Sequence, residues 1–181
     1  MCIRDRYWLW GDIPPGPIKA TVMSNVDSLA KTIMRYKNPV LLVGSQIAKI
    51  EESTGESIVE KIAELAAAIN ADIVTTSSRV VRELDSSGYR KYWIKPPLEA
   101  VKEVAASNSY DLVIVIGFQY AYAWLLLNYL KHYVPHIKTL SIEPYAQPNA
   151  TWTMPSLPLR VWYKNLCKLI EKIREHIKKL N

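Results

Sequence analysis

Small and polar residues follow three apolar segments of the chain, at points where strands are expected to end. The segments Val40–Val43, Asp72–Thr76 and Asp111–Gly117 are short runs rich in β-branched residues. A continuous apolar run of this length predicts a strand buried on both faces, as in a parallel sheet. The residues at these strand ends are Gly44, Ser45 and Gln46; Thr76, Ser77 and Ser78; and Gly117, Phe118 and Gln119.

The carboxyl ends of parallel strands lie side by side, so these residues predict a nucleotide-binding crevice. Glycine lets a ligand approach the backbone, while hydroxyl groups and helix N-termini donate hydrogen bonds to phosphate. The alternative is that Gly, Ser and Thr are simply what tight strand-to-helix turns require. Neither the G-x-G-x-x-G pattern nor the G-x-x-x-x-G-K-[ST] pattern is present, so both interpretations stay open.

The sequence predicts no catalytic residues. It contains no G-x-S-x-G elbow and no nucleophile with a paired histidine. Glu143, at the end of a further strand, could act as a general base or a ribose ligand, although a lone carboxylate there is more often structural or partner-facing. An aromatic run could line a flavin, pack in the core or form a subunit interface. Its members are Phe118, Tyr120, Tyr122, Trp124, Tyr129 and Tyr133.

Cysteine and charge patterns argue against a metal site and against nucleic acid. Cys2 and Cys167 are too few thiolates for an iron–sulfur cluster, which needs about four. The net charge of +6 is spread out, and the basic stretch Lys168–Lys179 is typical of a solvated helix face. The apolar stretch Leu112–Leu130 is interrupted by polar residues, which argues against a membrane span. We therefore expect a soluble, cytoplasmic protein.

Helical and strand patterns alternate along the chain. Helices are predicted at Ala20–Tyr36, Glu56–Asn70, Pro97 to about Ala106, Tyr120–Tyr133 and Leu159–Lys179, a further strand at Lys138–Ile142, and a short strand or loop at Tyr89–Ile94. This alternation predicts a three-layer α/β/α sandwich with a parallel, Rossmann-like sheet of at least four strands. Residues 18–181 are predicted to form a single α/β domain after an irregular lead at residues 1–17. Met1–Arg6 resembles translated adapter sequence.

Several segments together resemble one known family. They are Ala30–Lys31, Pro39–Gly44, Tyr110–Gly117, Tyr120, Pro135–Lys138, Leu140–Ile142, and Tyr145 followed by Pro148–Thr151. Over Ile18–Ile173 the chain is similar to the epsilon subunit of the archaeal acetyl-CoA decarbonylase/synthase complex. The most specific part is Asn149-Ala150-Thr151 after the strand, because glycine after an apolar strand is common.

The resemblance implies a fold like the DHS-like domain of thiamine-diphosphate enzymes, which can bind FAD or NAD. It also implies a non-catalytic subunit that assembles with the large nickel–iron carbon monoxide dehydrogenase (alpha) subunit, stabilising it and assisting electron transfer. Glu143, Tyr145 and Asn149 are then the predicted loop and partner residues. The alternative is a stand-alone electron-transfer protein that binds FAD or NAD in the strand-end crevice.

Three segments depart from the family pattern. Glu143-Pro144 stands where family members usually have an Asp-Arg pair, and Trp152–Leu157 replaces a Ser-Phe-Gly-Asn-Leu segment. A longer insertion before Tyr110 is trimmed to Ala105–Ser109. These departures bear on loop contacts more than on the fold.

Overall fold

The computed structural model describes residues 20–180, so the predicted lead at residues 1–17 lies outside the described residues. The strands are β1 Thr21–Val22, β2 Pro39–Val43, β3 Asp72–Thr75, β4 Tyr92–Ile94, β5 Leu112–Ile116, β6 Lys138–Ser141 and β7 Trp152–Thr153. The helices are α1 Val26–Ile33, α2 Ile47–Thr54, α3 Ile58–Ile69, α4 Ser78–Ser86, α5 Pro97–Ser107, α6 Tyr120–Tyr133 and α7 Leu159–Leu180.

The described strands form one sheet in the order β1-β7-β6-β5-β2-β3-β4, and all their pairings are parallel. The chain runs from β2 outward to β3 and β4, and from β5 in the opposite direction to β6 and β7. The order therefore reverses between β2 and β5. In open α/β sheets, ligands bind outside the carboxyl ends of the strands at such a switch point.

Successive residues of the central strands pack into two separate cores. Val40 and Leu42 of β2 pack with α5 and α6 on one face of the sheet, whereas Leu41 and Val43 pack with the other five helices on the opposite face. Both central strands are buried along their whole length, which explains their continuous apolar sequence. The three-layer prediction is confirmed.

Specific polar contacts fix the ends of these elements. The Asp111 carboxylate accepts hydrogen bonds from the Lys37 and Asn38 N–H groups, at 2.8 and 3.0 Å, and so holds the entry to β2 beside β5. The Trp162 indole N–H donates to the Ile142 carbonyl at 2.8 Å, which fixes the start of α7 against the end of β6.

The N-terminal helix prediction is wrong at its start. Thr21 and Val22 pair with Trp152 and Thr153 as an edge strand, and the helix begins only at Val26. The Asn25 side chain accepts a hydrogen bond from the Ser28 N–H at 3.1 Å, a helix N-cap that excludes the preceding residues from the helix.

Candidate functional site

The β2–α2 and β5–α6 turns, which carry two of the predicted ligand-binding segments, are hydrogen-bonded to each other. The Gly44 N–H donates to the Ile116 carbonyl at 2.9 Å, and the Gln46 N–H donates to the Gly117 carbonyl at 2.8 Å. A Cβ atom on Gly44 would lie 2.2 Å from the Gly117 carbonyl oxygen. The space that Gly44 leaves is therefore filled by the neighbouring turn.

Two features of the structure require glycine at position 117. Its φ of +77° lies in the left-handed region, and a Cβ there would lie 2.4 Å from Cγ1 of the buried Ile47. Gly117 thus allows the turn to pack on the first residue of α2.

Glu143, which follows β6, anchors the same turn from the other side. Its carboxylate is only 3% exposed and accepts the Phe118 N–H at 2.8 Å. Burial raises the pKa of Glu143 to about 7, although hydrogen bonds from the Phe118 and Gly117 N–H groups act in the opposite direction. The carboxyl group of Glu143 thus ties the β5–α6 turn to the end of β6.

A cavity of about 250 Å³ opens beside Glu143, at the carboxyl ends of β2, β5 and β6. Its lining residues are Gln46, Lys49, Ile50, Ser53, Phe118, Gln119, Tyr120, Glu143, Pro144, Tyr145 and Leu159. The structure thus brings five predicted site residues together, namely Gln46, Phe118, Gln119, Glu143 and Tyr145. Gly44 and Gly117 lie in the adjoining turns and are buried, whereas Ser45 is exposed.

The third predicted segment, Thr76 to Ser78, does not line this cavity. Ser77 is the N-cap of α4, with its hydroxyl group accepting the Val80 N–H at 3.5 Å, while Thr76 and Ser78 are exposed. The Ser77 N–H also donates to the Thr75 hydroxyl at 3.1 Å. These contacts belong to a strand-to-helix turn, the alternative that the sequence left open for this segment.

The loop from Glu143 to Ala150 is buried apart from Tyr145, which is 56% exposed. Gln147 Nε2 donates to the Tyr120 carbonyl at 3.2 Å, and Asn149 Nδ2 donates to the Trp124 carbonyl at 3.5 Å. Asn149 is 9% exposed and points toward the backbone of α6. Two amides therefore tie this loop to α6, and Tyr145 is the residue of the loop that meets solvent.

A larger cavity of about 670 Å³ lies elsewhere, between the α2–α3 connection and α4, and shares no lining residue with the strand-end cavity. Glu51, which is buried, accepts the Ile58 and Val59 N–H groups at the start of α3 and pairs with Arg79 at 2.7 Å. Sequence reasoning did not single out this carboxylate. Its contacts are those of a helix cap joined to an ion pair.

Among residues 20–180, no helix is long and apolar enough to cross a membrane. In the same part of the chain, no group of three or more His, Cys, Asp or Glu side chains is placed to hold a metal ion.

The parallel sheet, its switch point and the strand-end cavity define a Rossmann-like α/β domain. A solved chain from a study of the mechanism and regulation of Sir2 enzymes has the same fold, with a TM-score of 0.53 at 13% identity, over 87% of this chain and 100% of that one. Residues 12–170 match the model of the family described as CO dehydrogenase beta subunit/acetyl-CoA synthase epsilon subunit, and the chain belongs to that family.

Similar curated proteins are acetyl-CoA decarbonylase/synthase complex epsilon subunits of archaea. The Methanothermobacter thermautotrophicus protein is 25% identical over 92% of this chain and 96% of its own length. The Methanocaldococcus jannaschii protein is 26% identical over 77% and 79%, and epsilon subunit 1 of Methanosarcina barkeri is 27% identical over 80% and 84%. The resemblance seen in the sequence is confirmed.

Proposed function

We propose that this chain is the non-catalytic epsilon subunit of a cytoplasmic acetyl-CoA decarbonylase/synthase complex, where it binds and stabilises the large nickel–iron carbon monoxide dehydrogenase subunit. The observation that carries the proposal is the family match across residues 12–170, together with relatives named as subunits of that complex. Two cysteines are fewer than the four thiolates of a usual iron–sulfur cluster, so any redox role would depend on a partner's clusters or on a bound flavin.

The proposal predicts the composition of the native complex. The chain, tagged at its C-terminus and recovered anaerobically from native cells, is expected to bring down a large nickel–iron subunit and carbon monoxide oxidation activity. Mass spectrometry and an activity assay of the eluate check this result. The same tag on an unrelated Rossmann-like domain is the control. Recovery of the chain alone, as a monomer, would contradict the proposal.

Nucleotide binding is the second candidate, and the cavity at the switch point supports it. FAD or NAD would meet Gln46, Gln119 and the aromatic rings of the lining there. However, about 250 Å³ is below the roughly 300–1,000 Å³ of pockets that enclose drug-sized ligands. The cavity therefore fits one end of a dinucleotide and does not fit a whole FAD or NAD.

Thermal unfolding with added nucleotide tests this candidate. If FAD or NAD binds the folded chain, a concentration one hundred times Kd stabilises it by about 2.7 kcal/mol and raises the melting temperature by about 5–10 °C. Gln119→Ala, which alters an exposed lining residue, should reduce that shift, whereas Ser78→Ala should leave it unchanged. A colourless protein whose melting temperature is unaffected by millimolar FAD or NAD would eliminate the candidate.

A further inference from the structure

Helix α6 carries large apolar side chains on two opposite sides, and one of these sides is exposed. Ala123, Leu126, Leu127 and Leu130 pack in the core, while Leu125 is 49% exposed on the opposite side. A helix that is hydrophobic all round is normally buried on every side. The outward face of α6 therefore has the composition of a surface that another molecule covers.

The outward residues, of which Asn128 and Tyr129 are half-buried, form two adjacent rows at four-residue spacing, which places them on one face of the helix. The rows are Ala121, Leu125, Tyr129 and Tyr133, and Trp124, Asn128 and His132. Trp124 is 38% exposed and Tyr133 75%. The Tyr129 and Tyr133 rings are stacked with centroids 5.2 Å apart, so this end of the face is already ordered.

The loop that follows β6 is held to the first turns of α6 by the Gln147 and Asn149 amides described above. We call Trp124, Leu125, Tyr129 and Tyr133 the α6 face. Because its side chains sit on a helix, little backbone conformational freedom remains to be lost on binding, and this favours affinity.

The exposed area of the α6 face is that of a substantial part of a protein interface. Taking roughly 200 Å² for each full side chain, the exposed fractions of Trp124, Leu125 and Tyr133 amount to about 300 Å². A stable interface buries about 800 Å² on each partner, so these three side chains would supply roughly two fifths of it. Aromatic residues are also enriched at the centre of such interfaces.

The charges of α6 and of the segments that flank it in the sequence indicate the kind of partner. From Leu112 to Ile142 the sequence contains no Asp or Glu, whereas Lys138 is exposed near the C-terminal end of the helix. A second copy of this stretch would bring no carboxylate to meet that lysine. A different chain with carboxylates around an apolar patch would be complementary.

We infer that the α6 face is the docking surface for the large subunit, which presents an apolar patch with an acidic rim. This inference rests on the proposed function, since it names the part of the chain that the large subunit contacts. It also assigns the exposed aromatic residues of α6 to an interface, one of the uses that the sequence left open.

The test compares charge substitutions on the two sides of the sheet. Leu125→Glu and Tyr133→Glu change the α6 face, and Val161→Glu is the matched control, because Val161 is 45% exposed on α7, in the opposite helical layer. The Kd of each variant for the purified large subunit is measured anaerobically by biolayer interferometry. Each α6 variant is expected to bind 30-fold to 1,000-fold more weakly, about the effect of losing an interface hot spot. Val161→Glu should bind like the unmodified chain.

The other outcomes have distinct meanings. If the unmodified chain binds the large subunit and both α6 variants bind equally well, the docking inference is wrong and the proposed function stands. If the unmodified chain does not bind, both are wrong. The unmodified chain could instead form a homodimer that Leu125→Glu dissociates, and show no binding to the large subunit. The partner of the α6 face would then be a second copy of this chain, and the inference would be overturned. Unchanged melting temperatures show that the variants remain folded.

Discussion

Replacing Gly44 with alanine is expected to lower the free energy of unfolding by about 3 kcal/mol, near the upper end of the usual cost of overpacking. The added Cβ would lie 2.2 Å from the Gly117 carbonyl oxygen and 2.6 Å from the Gly117 carbonyl carbon. These are backbone atoms, so they can move away only by disturbing the hydrogen bonds that join the two turns. Urea unfolding measures the loss as a shift of the midpoint at constant slope.

Gly55→Ala is the matched control for this substitution. Gly55 has a φ of +72°, and a Cβ there would meet nothing within 4 Å, so the control reports backbone strain without a clash. It should cost about 1 kcal/mol. If Gly44→Ala costs no more than Gly55→Ala, the two turns do not touch in solution, and the space between them is available to a ligand.

The Gly44 and Gly117 turns show where sequence reasoning about the site reaches its limit. A glycine after a buried strand indicates that something approaches the backbone closely, but the pattern does not say what. Here the approaching atoms belong to the next turn and to Ile47. Ligand binding by Gly44, Ser45 and Gly117 stays a prediction, whereas the clustering of Gln46, Phe118 and Gln119 around one cavity is seen directly.

The fold was more predictable than the site because burial on both faces leaves a strong pattern. The predictions for β2, β5, α6 and β6 lie within one or two residues of the structure. The two-residue strands β1 and β7 were missed, since each carries too few residues to show a period and is defined by pairing with a distant segment. Helix α2 was missed as well, because its outer face is polar and its eight residues give little periodicity.

The loop after β6 has a sequence pattern that indicates one environment and distant contacts that give it another. Its sequence, rich in proline and polar residues, is typical of a solvated turn, yet Glu143, Gln147 and Asn149 are buried. Their burial depends on backbone groups of the β5–α6 turn and of α6, which are distant in the sequence. The interpretation of Asn149 as partner-facing or as local stays open, although its amide is directed at α6.

Glu143→Gln is expected to remove a pH dependence of stability that the buried carboxyl group creates. Burial raises the pKa of Glu143 from 4.5 to about 7 in the folded chain. Between these pH values the folded protein keeps a proton that the unfolded chain releases, so the free energy of unfolding falls as the pH rises. The contribution is fully present below pH 4.5 and lost above pH 7, and at about 1.4 kcal/mol per pKa unit it amounts to about 3 kcal/mol.

The difference in the free energy of unfolding between Glu143→Gln and the unmodified chain isolates the contribution of Glu143, because the other titrating groups are common to both proteins. At pH 5 the variant should be less stable than the unmodified chain by about 1–3 kcal/mol, since its amide cannot accept both N–H groups of the turn. From pH 5 to pH 8 the variant should gain most of about 3 kcal/mol relative to the unmodified chain. Urea unfolding at several pH values measures both effects, and Glu99→Gln on the exposed side of α5 controls for the loss of a carboxylate. Parallel stability curves would mean that Glu143 is solvated in solution, and the cavity beside it would then be open to water down to the ends of the strands.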